Sequence, residues 1–209
     1  MDADQHNSND LELKNRILTA ARDEFYIYGF SKVTVDEIAN KLGMSKKTLY
    51  KFFPSKDELV REVVRMVIKE MEACRCNVMA HDDIDFVEKL KQLMKYVGIQ
   101  YSKMSRHLIE DLEKNASSIW KEIADYRTEH IQKNFSALLK EGAAHGVFRI
   151  DVDDDLILLI YSNVIRNIIN PEILTQLPYS AAQVFDAAIK ILFEGMLTDA
   201  ARKQYQSSL

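Results

Sequence analysis

The chain has 209 residues, of which 47% are hydrophobic and 29% are charged, a balance that is ordinary for a folded globular protein. It contains only six glycines and three prolines, which excludes collagen-like and Pro/Gly-rich disordered chains and argues against a turn-rich all-β protein. The net charge of −4 argues weakly against nucleic-acid binding by the chain as a whole.

Both the first segment and the cysteines predict a protein of the cytoplasm. Residues 1–10 are polar and acidic, so we expect a disordered arm without a secretory signal. Cys74 and Cys76 are two positions apart and point in nearly opposite directions on a helix, which predicts free thiols. The most apolar segment, 156–169, contains Arg166 and is too short to cross a bilayer.

Helical patterning dominates the rest of the chain. Apolar residues recur every four positions from Leu13 to Phe25, which predicts an amphipathic first helix that Gly29 ends. Capping boxes at 34–37 and 55–58 predict where the second and fourth helices begin. The predicted helices cover residues 11–28, 34–42, 45–52, 55–78, 82–101, 106–113, 116–145, 156–169 and 181–197. Since no segment shows sustained strand alternation, the sequence predicts an all-α fold of about nine helices.

The second and third helices form a helix-turn-helix pattern, because they are short and the turn that joins them contains Gly43. Residues 38–56 hold five lysines and no acidic residue, a local basic patch on an acidic chain. Lys46 and Lys47 begin the third helix, where the positive end of the helix dipole disfavours cations. A helix that tolerates this cost suits an approaching polyanion, although a solvated lysine face is the alternative explanation.

The third helix divides into an inward and an outward face. Leu49 and Phe52 are three positions apart and are expected to pack inward. Thr48 can contact a thymine methyl group or a base-edge acceptor, and the hydroxyl of Tyr50 can reach a phosphate. Lys56, in the first turn of the fourth helix, can contact a second phosphate. The outward side chains therefore predict a surface that reads DNA.

The spacing of these residues resembles the DNA-binding domain of the TetR family of transcriptional regulators. The pattern runs Ile17-Leu18-x-x-Ala21, Phe25-x-x-x-Gly29-Phe30, Val33-Thr34-Val35, Ile38-Ala39, Leu42-Gly43-Met44-Ser45-Lys46, Thr48-Leu49-Tyr50, Phe52-Phe53 and Ser55-Lys56-x-Glu58-Leu59. Lys51 departs from it, because the family often has an aromatic residue or His there. The expected DNA-binding residues are Thr34, Ser45, Lys46, Lys47, Thr48, Tyr50, Lys51 and Lys56.

The resemblance implies a domain organisation with three segments. Residues 1–10 would be the arm, 11–58 the helix-turn-helix domain, and 59–209 a helical domain for effector binding and dimerisation. It also implies a repressor that binds a pseudo-palindromic operator as a homodimer and is released by a small molecule.

The sequence supports the dimer independently. The 156–169 helix is apolar on most of its faces, so it must be buried on more than one side. Small residues recur every seven positions in the last helix, which permits close approach of a second helix. The expected interface residues are Leu156, Ile160, Val164, Ala181, Phe185, Ala188, Leu192 and Gly195.

The effector site is expected among the fourth to eighth helices. Candidate lining residues are polar or aromatic: Tyr96, Gln100, Trp120, Tyr126, Arg127, His130, Asn163 and Arg166. A mixed pocket of this kind favours a mostly apolar molecule of modest size.

Other classes of function find less support. The chain has no Gly-rich phosphate loop, no His-Glu-x-x-His and no nucleophile elbow, which argues against an enzyme on a helical scaffold. Cys74, Cys76 and His81 lie close in sequence but lack a fourth zinc ligand, so we predict no metal and no cofactor. A redox-sensing role for either thiol stays open. The remaining alternative is an activator or architectural factor that a protein partner controls without a small-molecule effector.

Overall fold

The computed structural model describes residues 2–103, 106–168 and 177–206, and these residues form ten helices. The helices are α1 (Asp2–Tyr28), α2 (Val35–Lys41), α3 (Lys46–Phe52), α4 (Lys56–Met79), α5 (Phe86–Ser102), α6 (Arg106–Asn115), α7 (Ser117–Ala144), α8 (Asp154–Ile168), α9 (Ala181–Met196) and α10 (Asp199–Gln206). Within the described ranges the only β contact is an isolated bridge between Phe148 and Leu197. The predicted all-α fold is therefore confirmed.

Three helices differ from the prediction. Helix α1 begins at Asp2 rather than Leu11, so residues 2–10 are helical where a disordered arm was expected. This segment contains no glycine or proline to end a helix that continues backward from the amphipathic stripe. The stripe itself ends earlier than expected, because Tyr28 is exposed.

The other two differences concern capping groups. Helix α5 begins at Phe86, because the Asp85 carboxylate accepts a hydrogen bond from the Glu88 N–H at 3.0 Å and so caps its start. Helix α10 was not expected. The Thr198 hydroxyl stands at its start and accepts a hydrogen bond from the Ala201 N–H at 3.4 Å.

The chain divides into two compact units. Unit 1 comprises Met1–Lys69 and His107–Ile123, and unit 2 comprises Glu70–Arg106 and Ala124–Leu209. Helices α4 and α7 each contribute residues to both units. The functional boundary at residue 58 stays a prediction, since the compact unit around the helix-turn-helix also includes α6 and the first part of α7.

Unit 1 is built on a single apolar core. Ile17, Ile38, Leu49 and Leu59 are fully buried and bring one residue each from α1, α2, α3 and α4. The same cluster contains residues of α6, of α7 and of the joint between them, namely Leu108, Leu112, Ala116, Ile119 and Ile123. Helices α2 and α3 therefore share their core with a segment that is distant in sequence.

Unit 2 is held together by packed helices and an aromatic cluster. Helix α9 packs against both α5 and α8. The Phe148 ring meets the rings of Phe86 and Phe193 edge to face, with centroids 6.0 and 5.8 Å apart. Gly142 lies beneath the Phe148 ring, where a side chain would collide with it. This cluster fixes the end of α7 against α5 and α9.

The turn between α2 and α3 depends on the backbone of Gly43. Its φ is +67°, in the left-handed region that glycine adopts without steric cost. Its N–H donates to the carbonyl oxygen of Asn40 at 3.0 Å and closes the end of α2.

Gly43→Ala should therefore destabilise unit 1 by about 1 kcal/mol, because the Cβ is strained at positive φ although space around it is open. Gly43→Asn is the matched control and should cost less, since Asn tolerates this region better. Urea unfolding followed by the fluorescence of Trp120, the chain's only tryptophan, measures both variants. Equal stability of the two variants would contradict the argument.

Candidate nucleic-acid interface

Helix α2 begins with the predicted capping box. The Thr34 Oγ1 accepts from the Glu37 N–H at 3.2 Å, and the Glu37 Oε2 accepts from the Thr34 N–H at 2.7 Å. The hydrogen bonds from the Thr34 N–H and hydroxyl lower the pKa of Glu37, so its carboxylate stays charged beside the helix start. Thr34, an expected DNA-binding residue, is exposed at this end of α2.

Helix α3 begins with a different arrangement. The Ser45 Oγ accepts from the Thr48 N–H at 3.1 Å and lies 2.8 Å from the Thr48 hydroxyl. No acidic residue occupies the first turn of α3, whereas α2 and α4 each carry two acidic residues there. The start of α3 therefore keeps the positive field of its helix dipole and adds two lysines to it.

One face of α3 is buried and the other is open. Leu49 is fully buried, as predicted, but Phe52 is only partly buried. The deeper aromatic anchor is Phe53, which is 1% exposed and which the spacing argument missed. Phe53 follows the helix in an extended conformation with φ −134°, so helical periodicity did not identify its direction. The expected contact residues Lys47, Tyr50 and Lys51 lie exposed on the outward side.

The lysines of the basic patch have different surroundings. The Lys46 Nζ lies 2.8 Å from the Asp36 Oδ2, and this hydrogen-bonded ion pair raises the pKa of Lys46. Lys56 is partly buried, with its Nζ 4.2 Å from the centroid of the Phe30 ring. Burial lowers the pKa of Lys56, and the negative charge of Asp111 opposes that shift. Lys46 is therefore paired with a carboxylate, whereas Lys56 is held against an aromatic ring.

The turn before α2 is tied to α6 by a contact that the sequence did not indicate. The Asp111 Oδ2 accepts from the Ser31 N–H at 2.6 Å, and the Asp111 Oδ1 accepts from the Ser31 hydroxyl. The Asn115 side chain donates to the same Oδ1 at 2.7 Å. Ser31 and Asp111 are 80 residues apart in the chain, so no local sequence motif could have indicated their contact.

The expected effector residues are not all brought together. Trp120 belongs to unit 1 and packs against its core. In unit 2, the Tyr126 ring lies 4.3 Å from the His130 ring, centroid to centroid. The His130 Nδ1 lies 2.7 Å from the Glu72 Oε1, and this contact lowers the pKa of Glu72. Glu72, on α4, is a partner that the sequence reasoning missed.

The remaining effector candidates are more scattered. Tyr96 and Gln100 are partly buried on α5. Asn163 is exposed, and its side chain donates to the Leu159 carbonyl oxygen of the preceding turn at 2.8 Å. The side chains of Arg127 and Arg166 lie outside the described residues.

An apolar face is exposed on α8 and α9. Leu156 and Ile160 are 53% and 52% exposed, and the neighbouring Leu159 and Ile191, which were not predicted, are exposed as well. The other predicted interface residues vary in burial: Val164, Ala188 and Leu192 are partly buried, Gly195 is exposed, and the side chains of Ala181 and Phe185 lie outside the described residues. Exposed aliphatic residues on two packed helices are typical of a surface that another chain covers.

The cysteines are free thiols, as predicted. Cys74 is partly buried, which raises its pKa, and Cys76 is exposed. Among the described side chains, no three His, Cys, Asp or Glu residues are grouped closely enough to hold a metal ion. None of the described helices is both long and apolar enough to span a membrane.

Comparison with known proteins agrees with the geometry of α2 and α3. The sequence model of the bacterial regulatory proteins of the tetR family matches residues 17–63. The HTH-type transcriptional regulator YvaF of Bacillus subtilis is 28% identical over 171 residues, which are 82% of this chain and 88% of that protein. Residues 17–63 are therefore a regulatory domain of the tetR type, and the chain is similar over most of its length to a transcriptional regulator.

Two further proteins are similar to this regulator. The HTH-type transcriptional repressor KstR2 of Mycolicibacterium smegmatis is 27% identical over 147 residues, 69% of this chain and 71% of that one. A crystal structure of a gamma-butyrolactone receptor has a TM-score of 0.61 at 17% identity, covers 93% of both chains and shares the fold. The relatives are named as regulators of transcription, and the chain is accordingly a regulator and not an enzyme.

The lysine at the start of α3 gives a direct test of the interface. Lys46→Ala should weaken binding to all DNA sequences about equally, and the slope of log affinity against log salt should fall by about 0.9 for the lost phosphate contact. Titrations at several salt concentrations measure this slope. The control is Lys95→Ala, on the exposed surface of α5, which should leave the slope unchanged. A loss confined to one preferred sequence, with the slope intact, would contradict a phosphate contact.

Proposed function

We propose that this regulator is a repressor that binds a pseudo-palindromic operator as a homodimer and releases it when a small, mostly apolar effector binds. The observation that carries the proposal is the start of α3, where Lys46 and Lys47 stand exposed with no acidic residue in the first turn. Such a start costs stability in the free protein and becomes favourable beside phosphate. Since operator DNA is the proposed target, we propose that the regulator acts in the cytoplasm.

In this proposal, α3 enters the major groove. Lys47 and Thr48 read base edges, because they begin the outward face of the helix. Lys46, Tyr50 and Lys56 contact phosphates and fix the register of the helix on the duplex. Thr34, Ser45 and Lys51 complete the contact surface. Two such helices in a dimer would occupy half-sites whose centres lie about one helical turn, roughly 34–36 Å, apart.

The exposed apolar face of α8 and α9 supports the homodimer. Leu156, Ile160 and Ile191 would each remove apolar area from water if a second copy covered them. A two-fold axis would pair α8 and α9 with the same helices of the partner, which is a four-helix interface. The dimer would also tether two DNA-reading units and so raise the affinity for a two-part operator.

The effector site of the proposal lies in unit 2, around Tyr126 and His130 on α7 and Glu72 on α4. Aromatic rings beside a hydrogen-bonded pair suit a molecule with an apolar body and one polar group. The similarity to a protein named as a gamma-butyrolactone receptor supports a small-molecule ligand, and the similarity to the repressor KstR2 supports repression. Helix α4 carries both Lys56 and Glu72, so an effector that displaces this helix would also move Lys56. The affinity for DNA would then fall, with a coupling free energy of about 1–3 kcal/mol between the two sites.

Selection of bound fragments from a random DNA pool tests the proposed function. We expect enrichment of an inverted repeat, and its half-site spacing gives the dimer geometry. Absence of any enriched sequence would contradict sequence-specific binding. A later screen in which no small molecule shifts operator binding or thermal unfolding would favour a regulator controlled by a protein partner instead.

The selected operator then tests base reading by α3. Thr48→Ala should relax preference at particular base pairs and cost about 1–3 kcal/mol on the best site, with less loss on poor sites. The measurement is the affinity of the variant for a panel of single-base operator changes. A profile that is uniformly weakened at every position would assign Thr48 to the phosphate backbone rather than to bases.

The apolar face of α8 gives a test of the dimer. Ile160→Lys should produce a folded monomer, because Ile160 is half exposed in the single chain but would bury an unpaired charge in the dimer. Operator affinity should fall steeply, since one half-site contact is weaker than two tethered ones. Light scattering after size exclusion measures the mass. Ile150→Lys changes an 85% exposed residue outside both helices and should stay dimeric. If both variants are dimeric, the exposed face of α8 is not part of the dimer interface.

A further inference from the structure

Unit 1 contains a buried carboxylate that the proposed DNA contacts do not use. Asp111 of α6 is 6% exposed, and its oxygens accept hydrogen bonds from the Ser31 N–H, the Ser31 hydroxyl and the Asn115 side chain. Burying a charged group is costly unless hydrogen bonds compensate it, and three donors provide that compensation. Two of the three donors belong to Ser31, in the turn between α1 and α2.

Helix α6 is itself firmly anchored in unit 1. Leu108 and Leu112, on either side of Asp111, are buried in the core that also contains Ile38 and Leu49. The carboxylate is therefore held by an anchored helix, whereas Ser31 is exposed in the turn between the buried residues Phe30 and Val33. Asp111 thus adds two hydrogen bonds to a turn whose flanking apolar residues pack in the same core as α6.

The restrained turn bears directly on the DNA surface. Phe30 precedes Ser31, and its ring lies under the Lys56 ammonium at 4.2 Å. Asp111 also attracts that ammonium electrostatically. Thr34, which caps α2, ends the same turn. One carboxylate thus influences both the start of α2 and the position of a lysine proposed to contact phosphate.

We propose that Asp111 is a positioning residue for DNA binding, which holds the turn between α1 and α2 so that Lys56 and the start of α2 meet the phosphate backbone together. The proposal rests on the proposed function, because it presupposes that Lys56 contacts DNA. Asp111 itself does not touch DNA. It acts through Ser31 and Phe30.

The test compares Asp111→Asn with Glu113→Gln, which makes the same change of charge on α6. An amide has one acceptor oxygen and cannot accept from all three donors, so Asp111→Asn should weaken operator binding about tenfold. The slope of log affinity against log salt should fall by about 0.9, as for Lys56→Ala, because the same phosphate contact is lost. Glu113→Gln should bind within about twofold of the wild type, as expected for a partly exposed surface charge.

A double-mutant cycle separates positioning from simple loss of stability. If Asp111 acts through Lys56, the double variant should lose less affinity than the two single-variant fold-losses multiplied together. The salt slope of the double variant should equal that of Lys56→Ala alone. Multiplicative losses, or an affinity loss with the slope unchanged, would overturn the proposal. Wild-type affinity of Asp111→Asn would overturn it too.

Two further measurements keep the outcome decisive. Trp120 fluorescence reports whether unit 1 of each variant is folded at the temperature of the binding assay. If Asp111→Asn does not fold, Ser31→Ala tests the proposal instead, since it removes only the hydroxyl contact. This variant should lower both the affinity for the operator and the salt slope. Failure of the wild type to select any DNA sequence would instead refute the proposed function, which distinguishes the two failures.

Discussion

The proposed DNA-reading surface depends on the burial of one apolar core. Helix α3 has seven residues, and an isolated helix of that length is unstable in water. Its geometry is maintained because Leu49 and Phe53 are removed from solvent, and each buried side chain of this size contributes roughly 1.5–3 kcal/mol. The outward residues of α3 do not belong to this core, so they are available for the proposed contacts with DNA. The same core extends to α6 and α7, so these helices support the reading surface without belonging to it.

A charge conflict at the start of α3 is resolved by its neighbours. The cap from Ser45 satisfies a backbone donor without adding negative charge, and Asp36 of α2 pairs with Lys46 from outside the helix. An exposed ion pair of this kind contributes little to stability, because water and salt screen it. It steadies the lysine in the free protein and is weak enough for a phosphate to replace. The arrangement lets a helix carry cations at its positive end and still fold.

Local patterns predicted most of unit 1. The capping box at Thr34, the Ser45 cap and the glycine turn involve residues a few positions apart, and all three appear in the structure. Periodicity failed where the backbone leaves the helix, as at Phe53, which periodic spacing assigned to no face. It also failed at α10, a short polar helix whose start depends on Thr198.

Contacts between distant segments could not be predicted from one sequence. Asp111 and Ser31 carry no spacing signal, and an acidic residue on an amphipathic helix is usually solvated. Trp120 was assigned to an effector site because it is aromatic and lies on a long helix, but only the fold decides which core it joins. Glu72 was missed for the same reason, since its partner His130 lies on another helix. Residue type indicates chemistry, whereas tertiary structure decides which groups meet.

The discontinuity of unit 1 has a consequence for how the regulator is made. Its core needs residues of α1 to α4 and also Leu112 and Ile119, which the ribosome adds only after the whole of α5. The nascent chain therefore exposes apolar side chains of the first four helices until its synthesis has passed the midpoint, and exposed apolar surface of this kind favours aggregation. A chain that ends before α6 lacks residues that complete this core, so we expect the loss to destabilise the surface formed by α2 and α3 as well as unit 2.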